Sequence, residues 1–202
     1  MTPGDSDSYS ASPRGAAPLA AVLLAAGHST RMGSDKALLT VGGQPLWQRQ
    51  RDVLAAAGAS EIYLSVRSEQ TWAREAPGFT ASVHDAFSRG GPLVGITAGI
   101  ERCTTPWLAV LAIDLPQMNA GWFATLGAHC GPGVGAVGRR GDFFEPLAAI
   151  YPREILPLAW DALVRGEYSL QTLLARAVSA GLMRVHPISD DEVPQFENWN
   201  ER

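Results

Sequence analysis

Two uninterrupted hydrophobic runs are the strongest feature in the pattern of hydrophobic and polar positions along the chain. One extends from Leu19 to Ala25 and the other from Trp107 to Ile113. Neither run alternates with polar residues, so both are predicted to be strands that are covered on both faces, as in a parallel sheet. The first run ends at Ala26-Gly27 and the second at Asp114. Ligands collect beyond the carboxyl ends of such strands, so these two ends are candidate sites.

Helix-like and strand-like segments alternate along the rest of the chain. Further strands are predicted over residues 62–66, 79–83, 134–137, 146–150 and 182–186, and helices over residues 46–57, 93–100, 119–130, 154–164 and 170–180, with a weak helix over 70–75. Gly138 to Gly141 is predicted to be an exposed hairpin turn, whose arginines face either an anionic second substrate or, as we favour, only solvent. This alternation with short links predicts an α/β fold with a mainly parallel central sheet.

The length and composition fit one such domain. At 202 residues, of which 46% are hydrophobic, the chain can bury one substantial core, and a single domain is predicted over residues 19–202. Residues 1–18 are rich in Ser, Pro, Ala, Gly and Asp and are predicted to be a disordered leader. An alternative stays open, because Arg14 followed by the apolar residues 16–27 has the layout of a signal peptide. Asp5 and Asp7 ahead of that run favour the leader.

Charge and cysteine content argue against several classes of protein. The formal charge is −4 and the pI is about 5.5, and no basic run is present that could neutralise a nucleic-acid backbone. No stretch is long enough to span a bilayer. Cys103 and Cys130 are far apart and outside any CxxC pattern, so neither a disulfide framework nor a zinc site is predicted. A reducing cytoplasm fits this cysteine usage.

The segment after the first strand has the chemistry of a phosphate-binding loop. Gly27 leaves backbone amides open to a ligand, and Arg31 and Lys36 supply two cations shortly after it. The segment is not a Walker A loop, because five residues separate Gly27 from Gly33 and Ser34 follows, and it contains no GxGxxG pattern. The alternative is a buried strand that ends in a polar surface turn, and the clustering of cations and glycines favours the ligand loop.

Three other positions are candidates because they follow predicted strands or open a predicted helix. Asp114 could hold Mg²⁺, which takes one or two carboxylates together with phosphate oxygens and water, although an Asp that starts a turn before proline is the alternative. Asp85 follows the strand predicted over residues 79–83. Gly91 lies in a Gly-Gly-Pro turn whose helix could present its N-terminus to the site.

Three motifs in the chain resemble those of one family of nucleotidyltransferases. LLAAG-x3-RMG-x-DKALL at residues 23–39, IDLP at 113–116 and FENWN at 196–200 are similar to motifs of the MobA-like molybdenum cofactor guanylyltransferases. The resemblance covers residues 20–200 and implies the three-layer, Rossmann-like nucleotide-diphospho-sugar transferase fold. It also implies transfer of GMP from GTP to the phosphate of molybdopterin, with pyrophosphate leaving, Mg²⁺ as cofactor, and transient contact with other cofactor-biosynthesis proteins.

The same resemblance implies a role for each site residue. Arg31 would hold the β- and γ-phosphates, Lys36 would stabilise charge on the α-phosphoryl group, and Asp114 would hold Mg²⁺. Asn198 and Asn200 would lie on the acceptor side. The nucleotide-binding residues that the resemblance implies are Leu24, Ala25, Ala26, Gly27, Arg31, Lys36, Asp85, Gly91 and Asp114.

Two departures from the family pattern keep other functions open. The guanylyltransferases usually have Gly at the position of Ala26, and the form seen here is also common in cytidylyltransferases that act on molybdopterin. Tyr168-Ser169 stand where the family often carries Arg. The alternatives are therefore a nucleotidyltransferase that uses CTP on molybdopterin or a nucleotide on a sugar phosphate, and a noncatalytic nucleotide-binding protein.

Overall fold

The computed structural model describes residues 18–27, 35–84 and 90–198. Within these ranges the strands are β1 (Leu19–Leu24), β2 (Thr40–Val41), β3 (Gln44–Pro45), β4 (Ala59–Val66), β5 (Ala81–His84), β6 (Trp107–Ala112), β7 (Gly135–Arg140), β8 (Phe143–Phe144), β9 (Ala148–Pro152) and β10 (Met183–Pro187). The α-helices are α1 (Leu46–Ala56), α2 (Pro92–Arg102), α3 (Ala120–His129), α4 (Leu156–Arg165) and α5 (Leu170–Ser179). Short 3₁₀ helices span Lys36–Leu38, Thr71–Arg74, Arg153–Ile155 and Val193–Phe196. The predicted leader, residues 1–18, lies outside the described residues except for Pro18.

One sheet of eight strands organises the described part of the chain. Its order is β10-β7-β9-β6-β1-β4-β5, and β8 pairs with β7 as an extension of a hairpin. β1 pairs in parallel with both β4 and β6, whereas β9 runs antiparallel to β6 and to β7. β2 and β3 form a separate two-stranded hairpin ahead of α1. The sheet is therefore mainly parallel, with β1 and β6 at its centre.

The central strands are apolar throughout because helices cover both faces of the sheet. Along β1, Ala21 and Leu23 pack in the core with α1 and α3, while Ala20 and Val22 pack in the core with α2 and α5. All four residues are fully buried. α4 lies outside this layer and packs on α2 and α5. The predicted three-layer α/β architecture is confirmed.

Several boundaries differ from the prediction for identifiable reasons. The weak helix predicted over residues 70–75 is one 3₁₀ turn, Thr71–Arg74, and the strand predicted over 79–83 is β5, Ala81–His84. The β2–β3 hairpin was not predicted, because strands of two residues leave no readable alternation. The helix predicted over 170–180 is confirmed as α5, whose first turn is capped by Ser169 Oγ accepting from Thr172 N at 3.3 Å.

The turn predicted over Gly138 to Gly141 is wrong at its start. Gly138 belongs to β7, and the chain reverses after Arg140, at Gly141, which has a φ of +56°. Packing requires a glycine at position 138, because a Cβ there would lie 2.7 Å from the ring of Trp122. Arg139 and Arg140 are exposed, as expected, but they occupy the last positions of a strand.

A helix that crosses a bilayer needs about 20 consecutive residues that are predominantly apolar. Within the described ranges, none of the helices is both long enough and apolar enough to span a membrane.

Gly135 is the position where a single methyl group should disturb the sheet most directly. A Cβ at Gly135 would lie 2.2 Å from the backbone oxygen of Ile150 and 2.7 Å from Pro152 Cδ. Because β7 and β9 are hydrogen-bonded neighbours there, the oxygen cannot move away without loss of pairing. We expect Gly135→Ala to lower the free energy of unfolding by about 1–3 kcal/mol, measured by urea denaturation.

Gly127→Ala is the matched control for this substitution. Gly127 lies within α3, and no heavy atom of the residues that the structure describes lies within 4 Å of the position that its Cβ would occupy. Alanine is a better helix former than glycine, so this variant should be more stable by roughly 0.5–1 kcal/mol. Equal stability of the two variants would contradict the packing described at Gly135.

Candidate active site

The carboxyl ends of β1 and β6 lie side by side at one edge of the sheet. Leu24 is level with Ala112, and the backbone N–H of Ile113 donates to the oxygen of Leu24 at 3.0 Å. Gly27 and Asp114 thus follow directly from neighbouring strands, which lie about 4.8 Å apart. The two predicted site segments that sequence alone had placed about ninety residues apart meet at this edge.

The strand-to-loop transition after β1 is accessible from outside. Leu24 and Ala25 are buried, Ala26 is half-buried, and Gly27 is exposed. A Cβ at Gly27 would have no heavy atom of residues 18–27, 35–84 or 90–198 within 4 Å. On the side formed by these residues, the backbone at Gly27 is therefore open to a close approach by a ligand, which agrees with the prediction made from this glycine.

Lys36 begins a 3₁₀ helix on the far side of the loop. The preceding residue, Asp35, caps this helix, since its Oδ1 accepts from Ala37 N at 3.1 Å. Ala37 is fully buried in the core beside α1, which fixes the helix to the body of the protein. Lys36 itself is half-buried and is the only lysine in the chain. A cation is therefore held at a defined point near the carboxyl edge of the sheet.

The N-terminus of α2 approaches the same edge from one face of the sheet. Gly91 caps this helix with a φ of +54°. It is exposed, and no heavy atom of the described part of the chain lies within 4 Å of where a Cβ would lie. One turn later, a Cβ at Gly95 would lie 2.5 Å from Ser65 Oγ and 2.8 Å from Leu24 Cδ2. The start of α2 is thus packed against the ends of β1 and β4. The N–H groups of its first turn favour an anion.

Two side chains of α1 hold the turn that carries Asp114. Gln50 Nε2 donates to the backbone oxygen of Leu115 at 2.6 Å, and Arg49 Nε donates to that of Pro116 at 3.0 Å. Gln50 is completely buried. Sequence reasoning missed this role, although a polar residue in the apolar spacing of α1 was its signal. These bonds fix the turn after β6, in which Asp114 is half-buried.

Three residues that follow β4 contact residues 25–27 and 35, which lie on either side of the predicted phosphate-binding loop. Sequence reasoning missed these residues as well. Arg67 Nη1 donates to the backbone oxygens of Ala26 and of Gly27, the latter at 2.7 Å. Gln70 and Trp72 both donate to the carboxylate of Asp35. No motif marked these residues, because their partners lie 35 to 45 positions away in sequence.

The C-terminal segment is anchored on α3. Phe196 meets the ring of Trp122 edge-on, with centroids 4.9 Å apart, and Trp122 Nε1 donates to Ala148 O at 2.8 Å. Asn198, two residues beyond this anchor, is half-buried. The predicted pinning of this segment by its phenylalanine is therefore confirmed for the part up to Asn198.

Three of the predicted site residues belong to the parts of the chain that the structure does not describe. Arg31, Asp85 and Asn200 lie outside the described residues. Of the others, the structure brings Leu24, Ala25, Ala26, Gly27, Lys36, Gly91 and Asp114 to the carboxyl edge of the sheet.

Among the described residues, the cysteines and histidines do not form a competing centre. Burial raises the pKa of the Cys130 thiol to about 11 and also raises the pKa of the Cys103 thiol, so both are protonated at neutral pH. Both are free cysteines. His186 lies 3.3 Å from His129 and 3.2 Å from Glu192, and across residues 18–27, 35–84 and 90–198 no group of three or more His, Cys, Asp or Glu residues could hold a metal.

Comparison with known proteins assigns this chain to a family. The family model described as MobA-like NTP transferase domain matches residues 21–181. The chain belongs to this family. A probable molybdenum cofactor guanylyltransferase from Opitutus terrae is 43% identical over 188 residues, which is 92% of each protein. One from Nostoc sp. is 31% identical over 160 residues, covering 77% of this chain and 76% of that protein.

Two solved structures share the fold of this chain. Molybdopterin-guanine dinucleotide biosynthesis protein A from Archaeoglobus fulgidus superposes with a TM-score of 0.71, at 20% identity, covering 89% of this chain and 91% of that one. A nucleotidyl transferase from Methanothermobacter gives a TM-score of 0.73 at 17% identity, covering 91% and 92%. The predicted nucleotide-diphospho-sugar transferase fold is confirmed, and so is the membership that the three motifs indicated.

Proposed function

We propose that this protein transfers GMP from GTP to the phosphate of molybdopterin and releases pyrophosphate. The observation that carries the proposal is the meeting of Gly27, Lys36 and Asp114 at one edge of the sheet, in a MobA-like chain. The relatives named guanylyltransferases support GTP and molybdopterin as the substrates. The free thiols of Cys103 and Cys130 support a reducing compartment, the cytoplasm.

The chemistry needs positioning and charge neutralisation more than a protein nucleophile. An oxygen of the acceptor phosphate attacks the α-phosphorus of GTP, and the bond from that phosphorus to the pyrophosphate oxygen breaks. The open backbone at Ala26-Gly27 and the N-terminus of α2 bind phosphate oxygens through N–H groups. Lys36 stabilises the charge on the α-phosphoryl group as it transfers, and Arg31 holds the β- and γ-phosphates.

Asp114 is the residue that would hold Mg²⁺. One protein carboxylate at the end of a central strand suits this ion, which keeps most of its ligands as phosphate oxygens and water. Mg²⁺ bound there supplies charge neutralisation at the phosphates. Gln50 and Arg49 keep the Asp114 turn in place through backbone oxygens, so the carboxylate is preorganised before substrate binds.

The asparagines of the C-terminal segment are assigned to the acceptor side. Phe196 fixes the segment against Trp122, and Asn198 follows two residues later. Amides can coordinate a cation through oxygen and donate to phosphate through nitrogen, whereas carboxylates would repel an anionic acceptor. Asn198 and Asn200 thus suit molybdopterin phosphate, and partners that deliver or accept the cofactor would meet this side.

A pyrophosphate-release assay tests the proposal. GTP, CTP, UTP and ATP are each supplied with Mg²⁺ and with molybdopterin, with a sugar phosphate, or with no acceptor. The proposal predicts rapid release only with GTP and molybdopterin. Faster pyrophosphate release with CTP than with GTP would favour the cytidylyltransferase alternative that Ala26 leaves open. Pyrophosphate release with a sugar phosphate would show that the acceptor is a sugar phosphate and not molybdopterin. Nucleotide binding without release under any condition would indicate a noncatalytic protein.

A further inference from the structure

The side chain of Gln70 joins Ala25 to Asp35, the residues on either side of the predicted phosphate-binding loop. Its Nε2 donates to the backbone oxygen of Ala25 at 2.9 Å and to Oδ2 of Asp35 at 2.6 Å. Its Oε1 accepts from the backbone N–H of Arg67 at 2.7 Å. The side-chain amide has two N–H donors and one oxygen, so both donors and the acceptor are in use. Gln70 is only 6% exposed, which makes each of these bonds costly to lose.

Trp72 reinforces the far end of this connection. Its Nε1 donates to the same Oδ2 of Asp35 at 2.7 Å. The ring is held in place by a stacked contact with Trp47, whose centroid lies 6.4 Å away. The Asp35 carboxylate therefore accepts from Gln70, from Trp72 and from the backbone N–H of Ala37. Because hydrogen bonds to a carboxylate are stronger than those between neutral groups, this end is firmly fixed.

The connection determines where Lys36 lies relative to β1. Ala25 directly follows β1, and Asp35 directly precedes Lys36. Without Gln70, the covalent path between them runs through nine intervening residues, 26–34. Through Gln70, the two are separated by one amide group. A displacement of about 1 Å at a reacting group can cost on the order of 10²-fold in rate, so this tie bears on transfer directly.

We propose that Gln70 is a positioning residue for nucleotidyl transfer, which ties the end of β1 to Asp35 and so sets Lys36 against the phosphates, with Trp72 as its support. The inference rests on the proposed function, because one of its tests measures the turnover of that reaction. Gln70 acts through Asp35 and not on substrate. Gln70 lies in the segment that follows β4, the strand that pairs with β1, and its contacts reach Ala25 and Asp35 on either side of the loop.

Two substitutions at Gln70 separate the lost tie from an added repulsion. Gln70→Met keeps the length of the side chain but removes both donors and the acceptor for the N–H of Arg67. Gln70→Glu also removes both donors, keeps an acceptor, and brings a carboxylate against Asp35. We expect kcat to fall about 10-fold in the first variant and about 10²-fold in the second, since misplacement grows when the two carboxylates repel. GTP affinity should change less than kcat, because backbone N–H groups bind the nucleotide in both.

Two further variants serve as matched comparisons. Thr71→Glu adds the same negative charge one position away, at an exposed residue, and should keep kcat within about twofold of the wild type. Trp72→Phe keeps an aromatic ring beside Trp47, although a smaller one, and removes the N–H donor to Asp35, so its loss of kcat should be smaller than that of Gln70→Met. Rates are measured well below the unfolding midpoint of every variant, so a loss of stability alone does not lower them.

Hydrogen exchange supplies a readout that is independent of turnover. Loss of the tie should speed amide exchange at Leu38 and Leu39, whose N–H groups bond to Asp35 and Lys36 in the 3₁₀ helix. Folded Gln70→Met and Gln70→Glu proteins with wild-type kcat would overturn the inference, and so would unchanged exchange at these amides. If the wild type itself shows no transfer with GTP, the proposed function fails, and the exchange measurement still decides the tie.

Discussion

Lys36→Ala and Asp114→Ala should each lower the rate of nucleotidyl transfer by about 10²–10³-fold, which is the usual cost of losing one preorganised electrostatic contact in such a site. Lys36 opens a helix whose next residue is fully buried, and Asp114 follows β6 in a turn fixed from α1. Both side chains are half-buried at the edge of the sheet, outside the packed core. The free energy of unfolding should therefore stay near that of the wild type. Steady-state turnover and urea denaturation measure the two quantities.

Controls for this prediction come from the same chain. Asp190→Ala removes an exposed carboxylate from a turn after β10 and should leave turnover unchanged. Lys36→Arg keeps the charge but replaces a compact ammonium with a planar fork, so it should recover only part of the lost rate. Because the chain has a single lysine, an amine-directed reagent such as pyridoxal phosphate with borohydride should modify Lys36 and the N-terminus, and GTP should protect only Lys36. Near-normal turnover of either alanine variant would remove its residue from the mechanism.

Trp122→Ala should have the largest effect on stability, a loss of about 3–5 kcal/mol in the free energy of unfolding. The side chain is only 1% exposed, and its N–H donates to Ala148 O on the central part of the sheet. Its ring also lies against Gly138 and Phe196, so truncation opens a cavity between α3, β7 and the C-terminal segment. Urea denaturation of the variant and the wild type measures the difference.

Two variants of this experiment isolate what the tryptophan contributes. Trp122→Phe keeps an aromatic ring in the core, although a smaller one, and leaves the oxygen of Ala148 without its donor, so it should lose about 1–3 kcal/mol. Trp160→Ala truncates a half-exposed tryptophan on α4 and should cost less than Trp122→Ala. Trp122→Ala should also loosen the segment around Phe196, and limited proteolysis should then cut near residue 196 sooner. Equal losses at the two tryptophans would contradict the anchoring role of Trp122.

The sequence predicted those parts of the fold whose structure is determined by residues within the same segment. β1 and β6 are continuous apolar runs because both faces are covered, and that pattern needs no knowledge of the partner strands. Asp114 was found because it ends such a run. The hairpin predicted between residues 134–137 and 146–150 implied that β9 runs antiparallel to β7, which is confirmed. The antiparallel pairing of β9 with β6 was not predicted, since an apolar strand of five residues does not identify its second neighbour.

The parts that sequence missed depend on contacts between distant segments. Gly138 looked like a turn residue because its neighbour in space, Trp122, is invisible in a local pattern. Gln70 looked like part of a weak polar helix, although its amide joins Ala25 to Asp35. Gln50 sat in an apolar helical spacing, and only the fold shows that it holds the turn after β6. Positioning residues of this kind have no motif, because their function is set by backbone groups of other segments.

The fate of each phosphate of GTP tests the central claim most directly. A single turnover is run with excess protein, Mg²⁺ and molybdopterin, once with GTP labelled at the α-phosphate and once at the γ-phosphate. Transfer of GMP at the edge formed by β1 and β6 predicts that the α-label appears in a molybdopterin-guanine dinucleotide and the γ-label in pyrophosphate, and that Asp114→Ala slows both equally. Release of the γ-label as orthophosphate, or its transfer to molybdopterin, would contradict the proposed reaction.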